Sequence, residues 1–487
     1  MRLDANRAPL YEALERHAER RAAAFHVPGH KGRATWDKTD AVRRYAELLP
    51  IDLTELSDTD DLHHPEGVIA DAEALAADCF GAEETRFLVG GSTAGNLAMI
   101  LGVCRPGELM LVQRNVHKSV VHGLMLAGAR VVFLPPAVDP ASGLAVVPAA
   151  ETVREALRRY PEAKALLLSN PNYYGMASDL RDSIREAHER RIPVLVDEAH
   201  GPHFGRHPAF PASALQMGAD VVVQSAHKML SAMTMGAMLH LQGQLVSKSA
   251  VRQYLRMVQS SSPSYPIMAS LDLARRELHM KKERSFEQAL RTADETRAGL
   301  AGTPFKALAA DTTRGPYAID PLKLVLFDAT GTLDGFSLRD ELERLGCIAE
   351  MADDRYVVLA FGTGTRPDNG QSLLAALKHI ARTHRLEDRP AAGRREEASF
   401  FALAKELPEP VILHGEADDT EAVELGQAEG RAAGEWVIPY PPGIPVLYPG
   451  EIVTPSIRKQ LERWRKQGAR IQGASDATLR TLKVLKR

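Results

Sequence analysis

Between residues 86 and 241 the chain alternates two hydrophobic patterns. Short apolar, β-branched runs recur at Arg86–Val89, Leu109–Gln113, Arg130–Leu134, Lys164–Ser169, Ile192–Asp197, Asp220–Ser225 and Gly236–Leu241. Continuous apolar runs of about four to eight residues predict strands buried on both faces. Segments of helical spacing separate most of them: Ala94–Cys104, Ser119–Gly128, Thr152–Arg159 and Leu180–Arg190. The alternation predicts an α/β fold with a largely parallel sheet covered on both faces. Ligands of such sheets sit at the carboxyl ends of the strands. Chemistry is therefore to be sought in the residues that follow each run.

Outside this region the pattern changes. Residues 3–21 predict an amphipathic helix, with Leu10, Leu14 and His17 at helical spacing, and a Gly/Pro turn follows at 28–32. Residues 250–300 are helical and charged. After Pro321 come shorter α/β units at Leu322–Phe327, Ser337–Leu345, Tyr356–Phe361 and Gln371–Thr383. Residues 384–398 are charged and predict a linker. The prolines between Pro439 and Pro445 demand extended backbone. There is no internal repeat and no low-complexity tract.

Composition narrows the class. At roughly 100–200 residues per domain, 487 residues predict two to four domains. Sixty basic side chains against 63 acidic ones leave a net charge of −3. That balance offers no charge-based case for nucleic acid or an anionic membrane as partner. Three cysteines cannot build a disulfide framework, which fits a reducing compartment. The N-terminus is charged and has no apolar signal core, and no stretch approaches the ~18 apolar residues of a membrane span. The expectation is a cytoplasmic, multidomain enzyme.

Three strand-end features carry candidate chemistry. Gly90-Gly91-Ser92-Thr93-Ala94-Gly95-Asn96 leads from the first run into a helix. Exposed N–H groups and the helix dipole there suit a phosphate, although a plain N-cap gives the same pattern. Asp197 ends a run that should be buried, where a carboxylate is costly unless it caps a helix or meets a cation. Lys228 follows the next run, behind Ser225, Ala226 and His227. A desolvated lysine can form a Schiff base, and a solvated loop lysine is the plain alternative. Taken together they match the needs of pyridoxal 5′-phosphate (PLP): a lysine for the aldehyde, an aspartate for the ring nitrogen and a helix N-terminus for the phosphate.

Longer motifs extend this match. FHVPGHKG (25–32), DLTELSDTDDLHHPEG (52–67), FLVGGSTAGNLAMI (87–100), QRNVHKSVVHGLMLAGA (113–129), NPNYYG (170–175), VLVDEAHGPHFG (194–205), SAHKMLSAMTMGAML (225–239), SSPSYPIMASLD (261–272) and PYPPGIPVLYPGE (439–451) follow one another along the chain. In these the sequence resembles the Orn/Lys/Arg decarboxylase family of fold type I PLP enzymes, above all its short bacterial arginine decarboxylase-like members. The long members carry an N-terminal wing domain, and this chain starts too near HVPGHKG for one to be expected. The resemblance implies a seven-stranded, mostly parallel sheet in a three-layer large domain, with smaller C-terminal α/β domains. It implies an arm over 1–50, a PLP-binding domain over 51–310, a small domain over 311–390 and a C-terminal decarboxylase domain over 391–487.

The resemblance also assigns roles. Lys228 would be the Schiff-base lysine and Asp197 the partner of the pyridinium nitrogen. His117 would stack on the cofactor ring. Ser92, Thr93 and Ala94 would hold the phosphate, with Ser225 helping. Ala199 and His200 would lie near the ring, and His227 would contact cofactor or the substrate carboxylate. The implied reaction is decarboxylation of a basic L-amino acid, with L-arginine giving agmatine, or lysine or ornithine giving cadaverine or putrescine. Lys228 or His227 would return a proton to Cα. The distal cation calls for a carboxylate, and Glu451, Asp353, Asp354, Asp58 and Asp60 are the candidates. A homodimer or dimer of dimers with shared active sites is implied, with the HVPGHKG arm and the SSPSYP segment as candidate donations to the partner. Residues 384–437 match the family pattern poorly.

The sequence also carries features of three competing readings. Eleven of the 17 histidines lie between 26 and 227, and His200, His203 and His207 have ligand-like spacing. Pro202, Gly205 and Pro208 break any helix that would align them, so no metal is expected. Leu324–Leu333 ends in DATGT and resembles a phosphatase nucleophile loop, with Asp328 as nucleophile and Mg²⁺ as its metal. Too little chain follows for that fold's helical core. A homologue that has lost catalysis finds no support, because the lysine, the aspartate and the phosphate loop are all present.

Overall fold

The computed structural model describes residues 4–20, 22–36, 40–309, 317–392, 407–413, 419–439 and 443–486. Two expectations fall partly outside these: the linker beyond 392, and the proline segment at 440–442. The chain forms two compact units, Met1–Val103 with Pro193–Phe286, and Cys104–Ile192 with Glu287–Arg487.

In the first unit the strands stand in the spatial order Glu84–Leu88, Ala237–Leu241, Val221–Gln224, Val194–Asp197. Val194–Asp197 and Val221–Gln224 are parallel, with Asp197 opposite Val223. Ala237–Leu241 is antiparallel to both of its neighbours. Its start therefore lies at the same end of the sheet as the ends of the others. Every residue of Val194–Asp197, Val221–Gln224 and Ala237–Leu241 is buried, as unbroken apolar runs require. The expected N-terminal helix spans Pro9–Glu19 and begins at its proline, whose missing N–H costs nothing there. Leu10 and Leu14 face inward, and Asp272 accepts the backbone N–H of Leu10 at 3.0 Å.

In the second unit Leu109–Gln113 is flanked in parallel by Arg130–Leu134 and Ala165–Ser169. An unforeseen strand, Val411–Ile412, pairs antiparallel with Arg130–Leu134. Four of the seven expected strands thus stand in the first unit and three in the second, where Val411–Ile412 adds an eighth. Two residues are too few to show a period, so the eighth strand left no pattern. A four-stranded sheet follows, in the order Met351–Ala352, Val357–Ala360, Lys323–Asp328, Phe305–Ala307. Gly335–Arg344 and Pro367–Thr383 are its helices. The last segment packs helix Pro455–Gln467 and strand pair Thr420–Glu424/Thr481–Leu485 around Val437, Leu447, Leu461 and Val484.

Candidate active site

The strand ends of the first unit hold the candidate chemistry. Two residues, Val89 and Gly90, separate strand Glu84–Leu88 from helix Gly91–Val103. Gly91 has φ +70°, a conformation that side-chain-bearing residues avoid, and its N–H donates to Met235 O at 3.0 Å. A Cβ on Gly95 would lie 2.8 Å from both Leu88 Cδ1 and Val223 Cγ1. The glycine lets the helix lie flush on the sheet. Ser92, half-buried, and Thr93, exposed, occupy its first turn ahead of buried Ala94. The backbone N–H groups of that turn have no partner within the helix.

Asp197 is 4% exposed. Its Oδ1 accepts the N–H of Ala199 at 3.1 Å, and its Oδ2 accepts the Asn96 amide at 2.8 Å. Burial pushes its carboxyl up, against the pull of the Asn96 amide, the Lys228 charge and the Ala199 N–H. Lys228, half-buried, stands one turn past Val221–Gln224, with Nζ 3.0 Å from His200 Nε2. His227 is held by Gly236: its backbone N donates to Gly236 O at 3.1 Å, and ring Nδ1 lies 3.0 Å from the same oxygen. That contact puts a proton on Nδ1. The Oγ of Ser225 is buried with no hydrogen-bond partner among the described residues. Such a hydroxyl costs about 1–3 kcal/mol.

These residues fit PLP. The orphaned Ser225 hydroxyl and the open N–H groups at Ser92, Thr93 and Ala94 suit a phosphate. The buried Asp197 carboxylate suits a protonated ring nitrogen, and the Lys228 amine suits an aldehyde. His117 belongs to the second unit, where it is the N-cap of helix Lys118–Ala127. Its Nδ1 accepts from Ser119 N at 3.2 Å and lies 2.8 Å from Ser119 Oγ, which fixes the ring.

Other candidates are engaged elsewhere. Both oxygens of Glu451 accept from Arg114 Nη2, at 3.0 and 2.8 Å. Asp58 Oδ2 meets His17 at 3.1 Å and Arg20 at 2.8 Å. Asp60 accepts backbone N–H groups of Asp61, Glu66, Gly67 and Ile69, and so organises its own loop. In the same loop region Tyr265 O–H, from the SSPSYP segment, donates to Asp60 O at 2.5 Å. Asp354 pairs with Arg463 at 2.9 Å. Asp353 is half-buried and accepts the Tyr174 O–H at 2.5 Å. Burial and Asp354 push the Asp353 carboxyl up to about 6. His203 packs among Phe204, Phe210 and Phe286. Asp328 spends both oxygens on the turn that follows it.

Two functional contacts escaped the sequence. Asn96 holds Asp197 across 101 positions. The signal was a lone amide in an otherwise small and apolar helix, Gly91–Val103. Glu198 carries a buried polar chain of its own, taken up below.

A helix N-terminus, a buried aspartate and a lysine at the ends of a mostly parallel sheet define the class of fold type I PLP-dependent enzymes. Residues 8–337 match the family model for the major domain of Orn/Lys/Arg decarboxylases, and residues 402–472 match that for its C-terminal domain. The chain belongs to the Orn/Lys/Arg decarboxylase family. It is 43% identical to the uncharacterized Bacillus subtilis protein YaaO, over 96% of each chain. It is 35% identical to an arginine decarboxylase of Bacillus subtilis, over 98% of each. Lysine decarboxylase A from Pseudomonas aeruginosa shares the fold at TM-score 0.79 and 20% identity, over 98% of this chain and 80% of that one. The C-terminal match corrects one expectation: from residue 402 onward, the stretch 384–437 does follow the family.

Proposed function

We propose that this protein removes the α-carboxylate of L-arginine, releasing carbon dioxide and agmatine, with PLP held by the strand-end residues of the first unit. The observation that carries the reading is the grouping of Lys228, His200, Asp197, Asn96 and the partnerless Ser225 hydroxyl at those ends. Arginine is favoured by the 35% full-length likeness to an arginine decarboxylase, against 24% for a lysine decarboxylase.

When bound, PLP supplies an electron sink for the bond to the departing carboxylate. The chain does the rest. The first turn of Gly91–Val103 and Ser225 hold the phosphate. Asp197 would keep the ring nitrogen protonated, and the Asn96 amide keeps Asp197 aimed. Lys228 Nζ would hold the aldehyde, and His200 Nε2, 3.0 Å from it, would exchange a proton with the amine. Lys228 or His227 would return a proton to Cα, and His117 would be the residue to stack on the ring.

For the distal cation we favour Asp353. It lines a cavity of about 560 Å³ together with Tyr173, Tyr174 and Trp464, whose faces suit a guanidinium. Glu451 and Asp58 are held in ion pairs with this chain's own cations. We further infer a homodimer or dimer of dimers with shared active sites, in the cytoplasm. Among the described residues no helix is long and apolar enough to cross a membrane.

The test is to incubate the protein and PLP separately with L-arginine, L-lysine and L-ornithine, measuring carbon dioxide and the mass of the amine. Agmatine from arginine alone is expected. Cadaverine or putrescine would reassign the substrate, and no carbon dioxide from any of them would refute the reaction.

A further inference from the structure

Beside Asp197 stands a second carboxyl group that the proposed reaction does not use. Glu198 is fully buried. Its Oε1 accepts the N–H of Ala214 at 2.7 Å, and its Oε2 lies 2.6 Å from the Gln224 amide. From there a polar chain crosses the sheet. The other end of the Gln224 amide is 3.1 Å from His240 Nε2, and His240 Nδ1 is 2.8 Å from Thr85 Oγ1. Gln224, His240 and Thr85 lie on three different strands, and all are buried.

Among the described residues, the charged and titratable groups around Glu198 offer it no contacting cation. Asp197 is its chain neighbour. Arg206 acts on it from a distance but donates to the carbonyls of Cys79 and Phe80. His240 stands beyond Gln224. An ionised Glu198 would be a second buried anion next to Asp197, with only two neutral donors to hold it.

The contact lengths carry a direction. A separation of 2.6 Å suits O–H···O, whose distances centre about 0.2 Å below those of N–H···O. A separation of 3.1 Å suits an N–H donor on a ring nitrogen. Both fit if the Gln224 amide is turned by a half rotation, which exchanges its oxygen and nitrogen at no steric cost. The chain then runs one way: Glu198 O–H to Gln224 Oε1, Gln224 Nε2–H to His240 Nε2, and His240 Nδ1–H to Thr85 Oγ1.

We propose that Glu198 is kept as a neutral carboxylic acid, donating into the Gln224–His240–Thr85 chain, so that of the two carboxyl groups Asp197 alone carries negative charge. Glu198 is thus a positioning residue. Its purpose rests on the PLP reading, but its protonation state does not. Burial pushes the Glu198 carboxyl up to about 8 and the His240 imidazole down to about 3, both towards the neutral form.

The Glu198→Gln variant separates the two charge states. A glutamine amide can donate where the acid O–H does and accept from Ala214 where the acid carbonyl does. The pH dependence has a definite sign. A carboxyl raised from 4.5 to about 8 on folding contributes stability that is complete below 4.5 and is lost as pH rises towards 8. The PLP-loaded Glu198→Gln variant should therefore gain on the wild type in Tm across that window. Infrared difference spectra of the unaltered, PLP-loaded protein should show a buried protonated-carboxyl band that bleaches as pH passes about 8, and the band should be missing in Glu198→Gln. A Tm difference independent of pH, or an infrared spectrum that loses no such band on substitution, would overturn the proposal. If the variant fails to fold, the bleaching of the wild-type band decides alone. Neither readout needs turnover, so failure of the decarboxylation reading would leave both decisive.

Discussion

Asp197 and Asp328 look alike in sequence. Each ends a buried strand, Val194–Asp197 in the first unit and Lys323–Asp328 in the second, and each is followed within two residues by alanine. Their partners differ in kind. Asp328 Oδ1 accepts the N–H of Thr330 at 2.8 Å, while Oδ2 accepts those of Thr332 at 3.0 Å and Leu333 at 2.9 Å and the hydroxyl of Thr330 at 2.9 Å. The loop closes over its own carboxylate. Asp197 receives one such N–H, from Ala199, and its other oxygen is held by a side-chain amide from a different element. A carboxylate has about four lone-pair sites. Asp328 has filled its sites with N–H and O–H groups of its own loop, whereas Asp197 keeps capacity for a cationic donor. A strand-end aspartate is a turn anchor when its own loop satisfies it, and a candidate for chemistry when it is buried and only partly satisfied.

This contrast predicts a graded set of effects. Lys228→Ala should lower decarboxylation by more than about a thousandfold with the fold intact. An unchanged rate would remove the first unit's strand ends from the reaction. Asp197→Asn should cut kcat by about a hundredfold or more, since a neutral amide cannot hold a proton on the ring nitrogen. Circular dichroism should stay unchanged. Asp328→Asn should do the reverse, leaving kcat within about twofold and costing about 1–2 kcal/mol in a denaturant titration, because an amide nitrogen cannot accept the turn's N–H groups. Equal losses of rate in the two aspartate variants would erase the distinction. Asn96→Ala should have the smallest effect, roughly a tenfold fall in kcat with little change in KM. A change confined to KM would mean that Asn96 contacts substrate instead of orienting Asp197.

Much of the fold was legible because continuous apolar runs and helical spacing are local signals. Leu109–Gln113 and Arg130–Leu134 stand where their runs predict. Asp197 and Lys228 were legible for the same reason, since a strand end can be counted along the chain. What stayed hidden was pairing between distant positions. Glu451 reads as a loop acid, yet its partner Arg114 lies 337 residues away. The chain from Glu198 to Thr85 draws on four separated segments, and no spacing links them. Asp328 misled because a local motif says nothing of whether its turn folds back on the carboxylate.

The most direct test of the central claim is to load the protein with PLP, reduce it with borohydride, digest it and map the modified peptide by mass spectrometry. A pyridoxyl group fixed on Lys228 alone, and absent when Lys228 is alanine, is the predicted result. A pyridoxyl group on another lysine, or on none, would contradict the account of the site.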